Sequence, residues 1–477
     1  TIWLPKQMFK EQKMTAFQGQ KLVHFDLKGA APKLEYLLRL IPLLREWGAT
    51  GILIEYEDMF PYKDQLQIAP KPYCYTLNDI HRLQQAADNE NLTFIPLVQT
   101  FGHMEFVLKH AKFEGLRETN NPISICPLHK AALNLVKSLV EQIVEAHEDL
   151  KYLHIGGDEV FNIGTCRTCQ ESNVSKPQLY RTHMIPLLQY IKTKWPSISL
   201  LMWHDMIAEY SIEELQPFSN FIEPMAWGYE DDISNYFPKD MFSRFGQVFD
   251  NIWVASSFKG SSGPTADFVP LEHHVANHLS WLQLISNLPE TTRCKISGIA
   301  ITGWSRYDHF ATLCELFAAG TPSLVLCLAI LENGRLTNEI EELVAQQLGF
   351  TSTRSLKPLV TDPYAEFEKG CFPGAELFSY VAYLEKAKFF LKRTNFQMKG
   401  WLTQWHQKTK LINAAHIEHA RWLCDVALKD LSFIRTHIGE CIRKLYYEET
   451  VKEWLDVKVE ERIRKGNMIL ANLYNFT

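Results

Sequence analysis

Two adjacent carboxylates, Asp158 and Glu159, are the residues of this sequence best suited to chemistry. They follow an apolar run (Tyr152, Leu153, Ile155) and a Gly-Gly pair. The apolar run is typical of a buried strand, and adjacent residues at a strand end point in different directions, so the pair could surround one substrate bond from two sides. Two acids held close together have pKa values pushed apart, which suits one as a proton donor and the other as a fixed anion. The structural alternative is a strand that stops at a turn capped by acids.

Composition narrows the class of protein. The chain has 477 residues, of which 46% are hydrophobic and 22% are charged, and its net charge is −6. This length predicts about two domains. The negative charge and the lack of a basic run argue against a nucleic-acid partner. No apolar run approaches the ~18 residues of a membrane span, so we expect no membrane partner either.

The ten cysteines lack the spacing of a disulfide framework. Cys166 and Cys169 form a single CxxC, which is a weak signal for zinc or redox chemistry because no second pair or His pair stands at metal-site spacing. We therefore expect no metal and no cofactor. The scattered cysteines favour a reducing compartment, and the first residues show no signal-peptide pattern.

Short apolar runs alternate with amphipathic helical patterns between residues 20 and about 330. Strands are predicted at 21–27, 51–55, 92–98, 152–155, 198–203, 221–227, 251–255 and 298–302, and helices at 34–47, 77–89, 131–147, 178–195, 273–288 and 307–319. Alternation of this kind implies parallel strands joined by right-handed crossovers. Eight such units in roughly 300 residues predict an α/β fold of the (β/α)8 TIM-barrel type. A doubly wound sheet is the alternative, although no Gly-rich phosphate loop follows the first strand.

Beyond residue 332 strand patterns give way to long amphipathic stretches, at 337–348, 375–393, 416–446 and 449–473. The predicted organisation is an N-terminal extension (1–19), a catalytic barrel (20–331) and a mostly α-helical C-terminal domain (332–477). Four tryptophans of the last domain are expected to be core or contact residues: Trp401, Trp405, Trp422 and Trp454.

The barrel interpretation places function at the C-terminal ends of the strands. Polar and aromatic residues cluster there: Asp26, Lys28, Glu55, Glu57, Gln99, His103, Trp203, Asp205, Trp227, Tyr229, Phe258, Lys259, Trp304, Arg306 and Tyr307. Helix capping explains some of the acids. It does not explain why three different strands each deliver a Trp at their C-terminal end. Aromatic faces beside carboxylates are typical of a sugar pocket, because sugar C–H faces pack on rings while hydroxyls bond to acids.

Several of these motifs resemble those of the family 20 glycoside hydrolases, the β-N-acetylhexosaminidases. His-Ile-Gly-Gly-Asp-Glu at 154–159 is similar to that family's central motif, and Gly102-His103, Trp203-His-Asp205 and Gly303-Trp304 match motifs after other strands. The runs 26–29, 54–62, 96–106 and 303–309 resemble in particular its intracellular hexosaminidase D branch. The resemblance covers most of residues 20–330 and continues more loosely to the end.

The resemblance implies an exo-acting, retaining enzyme that removes terminal N-acetylgalactosamine or N-acetylglucosamine. In this family the substrate's own 2-acetamido oxygen attacks the anomeric carbon, so no protein nucleophile is needed. Glu159 would be the general acid and base. Asp158 would hold the acetamide N–H and stabilise the positive charge of the cyclised intermediate.

Roles for the remaining site residues follow from the same resemblance. No arginine stands after the first strand to hold sugar hydroxyls, so Asp26 and Lys28 are expected there, and Tyr229 is expected to replace the tyrosine that fixes the acetamide carbonyl. His103 with Glu57 would form a proton relay behind Glu159. Other substrate-binding residues are expected to be Trp203, Asp205, Trp227, Trp304 and Arg306.

The resemblance also implies partners and a location. The partners would be terminal amino-sugar glycoconjugates or oligosaccharides, the assembly a homodimer, and the location the cytoplasm or nucleus. Two other functions stay open. One is an amino-sugar-binding barrel without catalysis, which the intact acid pair disfavours. The other is a metal-dependent hydrolase that uses His24 and Asp26.

Overall fold

The computed structural model describes residues 14–288 and 295–476. Residues 1–13 of the predicted N-terminal extension lie outside that part of the chain. Within the described residues, eight parallel strands close into a barrel in sequential order, with β8 paired to β1. The predicted (β/α)8 fold is therefore confirmed. The strands are β1 (Gln20–Asp26), β2 (Gly51–Glu55), β3 (Thr93–Leu97), β4 (Tyr152–His154), β5 (Ser199–Trp203), β6 (Ile222–Trp227), β7 (Asn251–Lys259) and β8 (Lys295–Gly303).

Helices connect the strands and continue beyond the barrel. Those up to β8 are α1 (Leu34–Glu46), α2 (Leu77–Asn89), α3 (Glu105–Leu108), α4 (Ala132–Glu145), α5 (Arg167–Glu171), α6 (Lys176–Lys194), α7 (Ile212–Leu215), α8 (Met241–Val248) and α9 (Leu271–Ser286). Those after it are α10 (Phe317–Asn333), α11 (Asn338–Gln347), α12 (Ala375–Trp401), α13 (Gln404–Thr409), α14 (Ala414–Leu445), α15 (Glu448–Trp454) and α16 (Glu461–Tyr474). A π-helical segment, Leu455–Glu460, joins the last two. None of the described helices is long and apolar enough to cross a membrane.

The helix predicted at 307–319 is wrong. Residues 307–316 form an irregular loop, and α10 begins only at Phe317. The Asp308 carboxylate accepts hydrogen bonds from the backbone N–H groups of Phe310 and Ala311. A short acidic side chain that bonds to the following backbone favours a turn over a helix. Tyr307, the first residue of this loop, lines the cavity described below.

Large apolar side chains from several strands fill the barrel interior. The buried cluster consists of Leu22, Leu53, Ile95, Leu97, Leu201, Trp203, Met225, Trp253, Ala255 and Ala300, with Tyr152, Trp227 and Trp304 packed against it. The interior is thus a packed core, as expected for a barrel of this strand number. The cavity described below lies where this packing ends.

By its internal contacts the chain divides into two compact units. The first comprises the residues up to Ser262, Pro270–Ala311 and Ser323–Leu336, and it contains the whole barrel. The second comprises Gly263–Val269, Thr312–Pro322 and Thr337–Thr477. In the second unit α12 packs along α14. Trp454 is buried there, whereas Trp401, Trp405 and Trp422 are 41%, 59% and 40% exposed, so only Trp454 is a core residue.

Candidate active site

A cavity of about 220 Å³ opens at the C-terminal ends of the barrel strands. It is lined by Lys28, Glu55, Gln99, His103, Asp158, Glu159, Trp203, Trp227, Tyr229, Gly260, Ser261, Trp304, Arg306 and Tyr307. Sites for drug-sized ligands typically measure about 300–1,000 Å³, so this cavity suits a smaller ligand, on the scale of one sugar ring.

Two glycines allow the acid pair to enter the cavity. Gly156 and Gly157 have φ values of +62° and +89°, and a Cβ on Gly156 would stand 1.9 Å from Oε1 of Gln99. The turn therefore needs both the left-handed backbone and the missing side chain. Glu159 itself has a φ of +49°, and its backbone N–H donates to Oδ2 of Asp205 at 2.8 Å. Asp205 thus holds Glu159 in a conformation that non-glycine residues rarely adopt.

His103 bridges the two acids. Its Nε2 lies 3.1 Å from Oε2 of Glu159 and 3.6 Å from Oδ2 of Asp158. Burial alone would lower the pKa of His103, but the charge of Asp158 and the bond to Glu159 raise it to about 10. His103 is therefore cationic at neutral pH. Like Glu159, it has left-handed backbone (φ +49°), and strain of this kind is concentrated at functional sites.

The two carboxyl groups have different environments. The side chain of Asp158 is 10% exposed, whereas that of Glu159 is 39% exposed. Burial raises the pKa of Asp158 to about 6, against the opposing effect of the His103 cation. Oδ1 of Asp158 is buried and has no hydrogen-bond partner among the described residues. Buried polar atoms normally have a hydrogen-bond partner, and Asp158 lines the cavity, so a ligand there is a candidate donor to this oxygen.

Three tryptophans from three strands share this cavity, as the strand-end pattern predicts. The rings of Trp203 and Trp304 lie 6.1 Å apart, and Trp227 stacks on Tyr229 at 5.5 Å. Nε1–H of Trp227 donates to Oδ1 of Asp205 at 3.2 Å. Asp205 does not line the cavity but fixes both Trp227 and the backbone of Glu159. The result is an apolar wall opposite charged groups.

Lys28 is the buried cation at the first strand's end. Its Nζ lies 3.0 Å from Oε1 of Glu57 and 3.4 Å from Oδ1 of Asp26. Burial alone would lower the pKa of Lys28, but Asp26 and Glu57 raise it well above its usual value. Asp26 also accepts a hydrogen bond from the backbone N–H of Ser305 at 2.8 Å. Asp26 and Glu57 therefore lie behind Lys28 and position it, and neither lines the cavity.

Glu57 is bonded to a different histidine from the one expected. Nε2 of His309 lies 2.6 Å from Oε2 of Glu57, and Nζ of Lys109 lies 3.2 Å from Nδ1 of His309. Because a lysine ammonium can only donate, Nδ1 is the acceptor and the proton of a neutral His309 is on Nε2, facing Glu57. His103 and Glu57 therefore belong to separate hydrogen-bonded groups.

Arg306 enters the cavity over a glycine. A Cβ on Gly29, whose φ is +75°, would stand 2.1 Å from Nε of Arg306. The guanidinium also donates to the carbonyl of Ala311 at 3.0 Å. The loop after β1 thus makes room for a cation from the loop after β8.

Five lining residues were not among the predicted site residues: Glu55, Gln99, Gly260, Ser261 and Tyr307. Nε2 of Gln99 donates to Oε1 of Glu55 at 3.0 Å, and burial raises the pKa of Glu55 to about 8. Glu55, Gln99 and Tyr307 belong to the strand-end pattern, so the signal that could identify them was present. Gly260 and Ser261 follow a β7 that continues four residues beyond its predicted end.

The histidine of the metal-hydrolase alternative lies beneath the cavity. His24 is fully buried, with its ring 4.7 Å from that of Trp304 in an edge contact. Burial lowers its pKa to about 3. Its Nε2 lies 3.3 Å from Oε2 of Glu55, whereas Asp26 bonds to Lys28 and Ser305. Asp26 is thus engaged by Lys28 and Ser305 rather than by His24, whose Nε2 has no well-aligned hydrogen-bond partner among the described residues.

Comparison with known proteins gives one consistent result. Residues 38–235 match the model of glycosyl hydrolase family 20, catalytic domain. The chain is 35% identical over 471 residues to hexosaminidase D of Homo sapiens, and the aligned region covers 96% of this chain and 95% of the human protein. It is 39% identical over 345 residues to hexosaminidase D of Bos taurus, and that aligned region covers 70% of this chain and 99% of the bovine protein.

Among solved structures, the chain resembles a β-N-acetylhexosaminidase from Bacteroides fragilis NCTC 9343. The TM-score is 0.50 at 14% identity, over 70% of this chain and 71% of the other. At that identity the likeness concerns the fold alone.

Proposed function

Since this chain belongs to glycosyl hydrolase family 20 and is of the hexosaminidase D type, we propose that it removes terminal N-acetylgalactosamine or N-acetylglucosamine from the non-reducing ends of glycoconjugates or oligosaccharides. The observation that carries the proposal is the environment of Asp158 and Glu159. One acid is buried with an unpartnered oxygen, and the other is more exposed, at a cavity sized for one sugar ring.

The substrate supplies the nucleophile in this proposal. The carbonyl oxygen of its 2-acetamido group bonds to the anomeric carbon while the glycosidic C–O bond breaks, and Glu159 gives its proton to the leaving oxygen. A water then attacks the same carbon, the ring bond to the acetamide oxygen breaks, and Glu159 takes the proton from the water. Two inversions retain the anomeric configuration.

Asp158 acts on the acetamide nitrogen. Its free Oδ1 accepts the acetamide N–H, and its charge stabilises the positive charge that develops on the cyclised group. His103, between the two acids, favours the ionised form of Asp158. The division of roles explains why two neighbouring residues suffice, since neither acid must reach the anomeric carbon.

The other lining residues select a terminal sugar. Trp203, Trp227 and Trp304 form an apolar wall against the sugar ring, and Lys28 and Arg306 supply cationic donors for hydroxyl groups. Tyr229, stacked on Trp227, is the candidate donor to the acetamide carbonyl. A cavity of this volume has room for one sugar, which favours exo action.

A rate comparison on aryl glycosides tests the function. We expect turnover of the N-acetylgalactosaminide or the N-acetylglucosaminide, and little turnover of the matched galactoside and glucoside, which carry a 2-hydroxyl and lack the internal nucleophile. Failure of folded enzyme on both N-acetylated substrates would contradict the proposal and favour a sugar-binding barrel. Capture of a covalent adduct with a 2-fluoro sugar would contradict the substrate-assisted route.

The role of Asp158 gives a further prediction. Asp158→Asn should keep most ground-state binding but lose roughly 10²–10³-fold in kcat, because a neutral amide cannot stabilise the developing cation. A thiazoline analogue of the cyclised intermediate should bind the wild type far more tightly than substrate does, and should lose most of that advantage in the variant. Inhibition constants for both proteins provide the measurement. Equal thiazoline affinity in the two proteins would remove Asp158 from this role.

We also propose a homodimer that works in the cytoplasm or nucleus. The described cysteines are all free, as expected for a reducing compartment. Sedimentation of the purified chain and imaging of a fluorescent fusion test the assembly and the location. A monomer at micromolar concentration would contradict the proposed homodimer. A fusion confined to secretory compartments would contradict the proposed location.

A further inference from the structure

Three thiols and one carboxylate converge in the loops that follow β3 and β4. They belong to Glu118, Cys126, Cys166 and Cys169, and one ligand atom of each lies within 4.8 Å of all the others. Sγ of Cys126 lies 3.5 Å from that of Cys166 and 3.7 Å from that of Cys169. Sγ of Cys169 lies 3.5 Å from Oε2 of Glu118. The sequence pattern showed only one pair, because the other two residues come from a distant loop.

The backbone holds Glu118 and Cys126 on paired segments of the loop after β3. The N–H of Glu118 donates to the carbonyl of Ser124 at 3.0 Å, and the N–H of Cys126 donates to that of Leu116 at 2.7 Å. Both side chains are buried, with residue exposures of 2% and 4%. The loop thus brings two potential ligands together before any ion binds.

Cys166 and Cys169 come from the start of α5. Sγ of Cys166, the N-cap residue, accepts a hydrogen bond from the backbone N–H of Cys169 at 3.3 Å. Oε1 of Glu118 accepts from the backbone N–H groups of Thr165 and Cys166 at 2.8 and 3.1 Å. These bonds use one carboxylate oxygen and orient the other toward the thiols, as the outer hydrogen bonds of metal ligands do.

We propose that Glu118, Cys126, Cys166 and Cys169 bind one Zn²⁺ ion in a closed tetrahedral site. With Zn–S bonds of about 2.3 Å and Zn–O bonds of about 2.0–2.2 Å, tetrahedral geometry separates sulfur atoms by about 3.8 Å and sulfur from oxygen by about 3.5–3.7 Å. The observed separations of 3.5, 3.7 and 3.5 Å are close to these values. Three thiolates favour zinc over the hard cations Mg²⁺ and Ca²⁺.

A disulfide explains the cluster less well. A disulfide joins two sulfur atoms at about 2.05 Å, so it would consume two of the three thiols and leave the third beside a buried carboxylate. A cation instead engages all three sulfurs and compensates the charge of Glu118. Four protein ligands leave no open position, so the ion is structural and takes no part in the reaction.

The ion would connect two loops that carry active-site residues. The loop after β3 carries His103, and the loop after β4 carries Asp158 and Glu159. His103 bonds to Glu159 across these loops at 3.1 Å. A zinc ion that joins their far parts would therefore position this contact without touching the substrate.

The test is metal analysis of the full chain, purified under reducing conditions from zinc-supplemented culture. We expect about one zinc per chain in the wild type and in Cys371→Ser, whose thiol is exposed and outside the cluster. Cys169→Ser should lose the ion, and Glu118→Gln should bind it at least about tenfold more weakly in competition with a chelator.

Cobalt substitution of the wild type keeps the test valid if a variant fails to fold. Co²⁺ exchanged into the site should give sulfur-to-cobalt charge-transfer bands and tetrahedral d–d bands, which Cys371→Ser should share. The proposal is overturned if the reduced wild type contains no zinc and gives no such bands, or if Cys169→Ser retains one equivalent. These readouts do not depend on glycosidase activity, so they are separate from the test of the proposed function.

Discussion

At the scale of single residues, the site depends on the unequal surroundings of Asp158 and Glu159. Asp158 is buried, has a pKa of about 6 and keeps one oxygen unpartnered, whereas Glu159 reaches solvent. The adjacent acids and their strand were predictable from the sequence, because they depend on local order alone. The position of His103 between the two acids could not be predicted from the sequence, because it depends on how two loops pack against each other.

Glu159→Gln is expected to reduce turnover of glycosides with poor leaving groups by about 10²–10⁴-fold, since the amide cannot protonate the leaving oxygen. Activated aryl glycosides, which need less protonation, should lose much less. The measurement is kcat/KM over a series of leaving groups, with Glu342→Gln, an exposed position on α11, as the control. Near-normal turnover of an unactivated disaccharide by the Glu159 variant would rule out the acid role.

His103→Gln is expected to move the acidic limb of the pH profile upward. In the wild type the limb should lie near pH 6, because Asp158 must be ionised and its pKa is about 6. The His103 cation lowers that pKa, so its removal raises the pKa and moves the limb toward neutral pH. The profile of kcat/KM against pH is the measurement, with His81→Gln, an exposed position on α2, as the control. An unmoved limb would show that His103 does not tune Asp158.

At the scale of elements, strands buried on both faces were the most predictable part. The first six strands begin and end within one residue of their predicted bounds. β7 was predicted too short because Ser256 and Ser257 interrupt its apolar run. The hydroxyl of Ser256 bonds to His278 at 2.9 Å, and that of Ser257 lies 3.3 Å from Nδ1 of His274, both on α9. Partners provided by tertiary structure cannot be identified from a local pattern.

Gly29→Ala is expected to raise KM by roughly tenfold, about the value of one charge-assisted hydrogen bond, with little change in kcat. An added Cβ would displace the Arg306 guanidinium, which lies 2.1 Å from its position, and the φ of +75° would add strain. Steady-state kinetics and the urea midpoint should be measured together. Gly115→Ala is the control, since apart from the neighbouring backbone no atom lies within 4 Å of its added Cβ. An unchanged KM in a folded Gly29 variant would contradict substrate contact by Arg306.

At the scale of the whole molecule, alternation of strands and helices predicted the barrel, and the loss of strand patterns predicted the helical C-terminal region. The boundary at residue 332 stays a prediction. By their contacts, Gly263–Val269 and Thr312–Pro322 belong to the second compact unit together with Thr337–Thr477, and we call this the helical unit. Local composition gives no signal for such an assignment. The charged group around Glu57 and the thiol cluster could likewise not be predicted from the sequence, because their members are far apart along the chain.

Asp267 lies in the first of those two segments, Gly263–Val269. Its side chain is fully buried, and its oxygens lie 2.6 Å from Arg462, 2.7 Å from Lys458 and 3.1 Å from Lys388, all within the helical unit. Burial alone would raise the pKa of Asp267, but these three cations hold it below its usual value. A carboxyl group with a lowered folded-state pKa contributes stability above the unfolded pKa of about 3.9, and the contribution is lost as pH falls below it.

Asp267→Asn keeps the side-chain volume but leaves three cations without their anion. We expect it to lower the free energy of unfolding by about 3–5 kcal/mol at pH 7, as breaking a buried ion pair does. The difference from the wild type should shrink as pH falls through 4 toward 3, because Asp267 of the unfolded wild-type chain then binds a proton while the folded carboxylate, with its lowered pKa, binds one only at lower pH. Urea midpoints across this pH range are the measurement, with Asp425→Asn, an exposed position on α14, as the control. A difference that stays constant with pH would mean that the effect of Asp267 is one of packing rather than of charge.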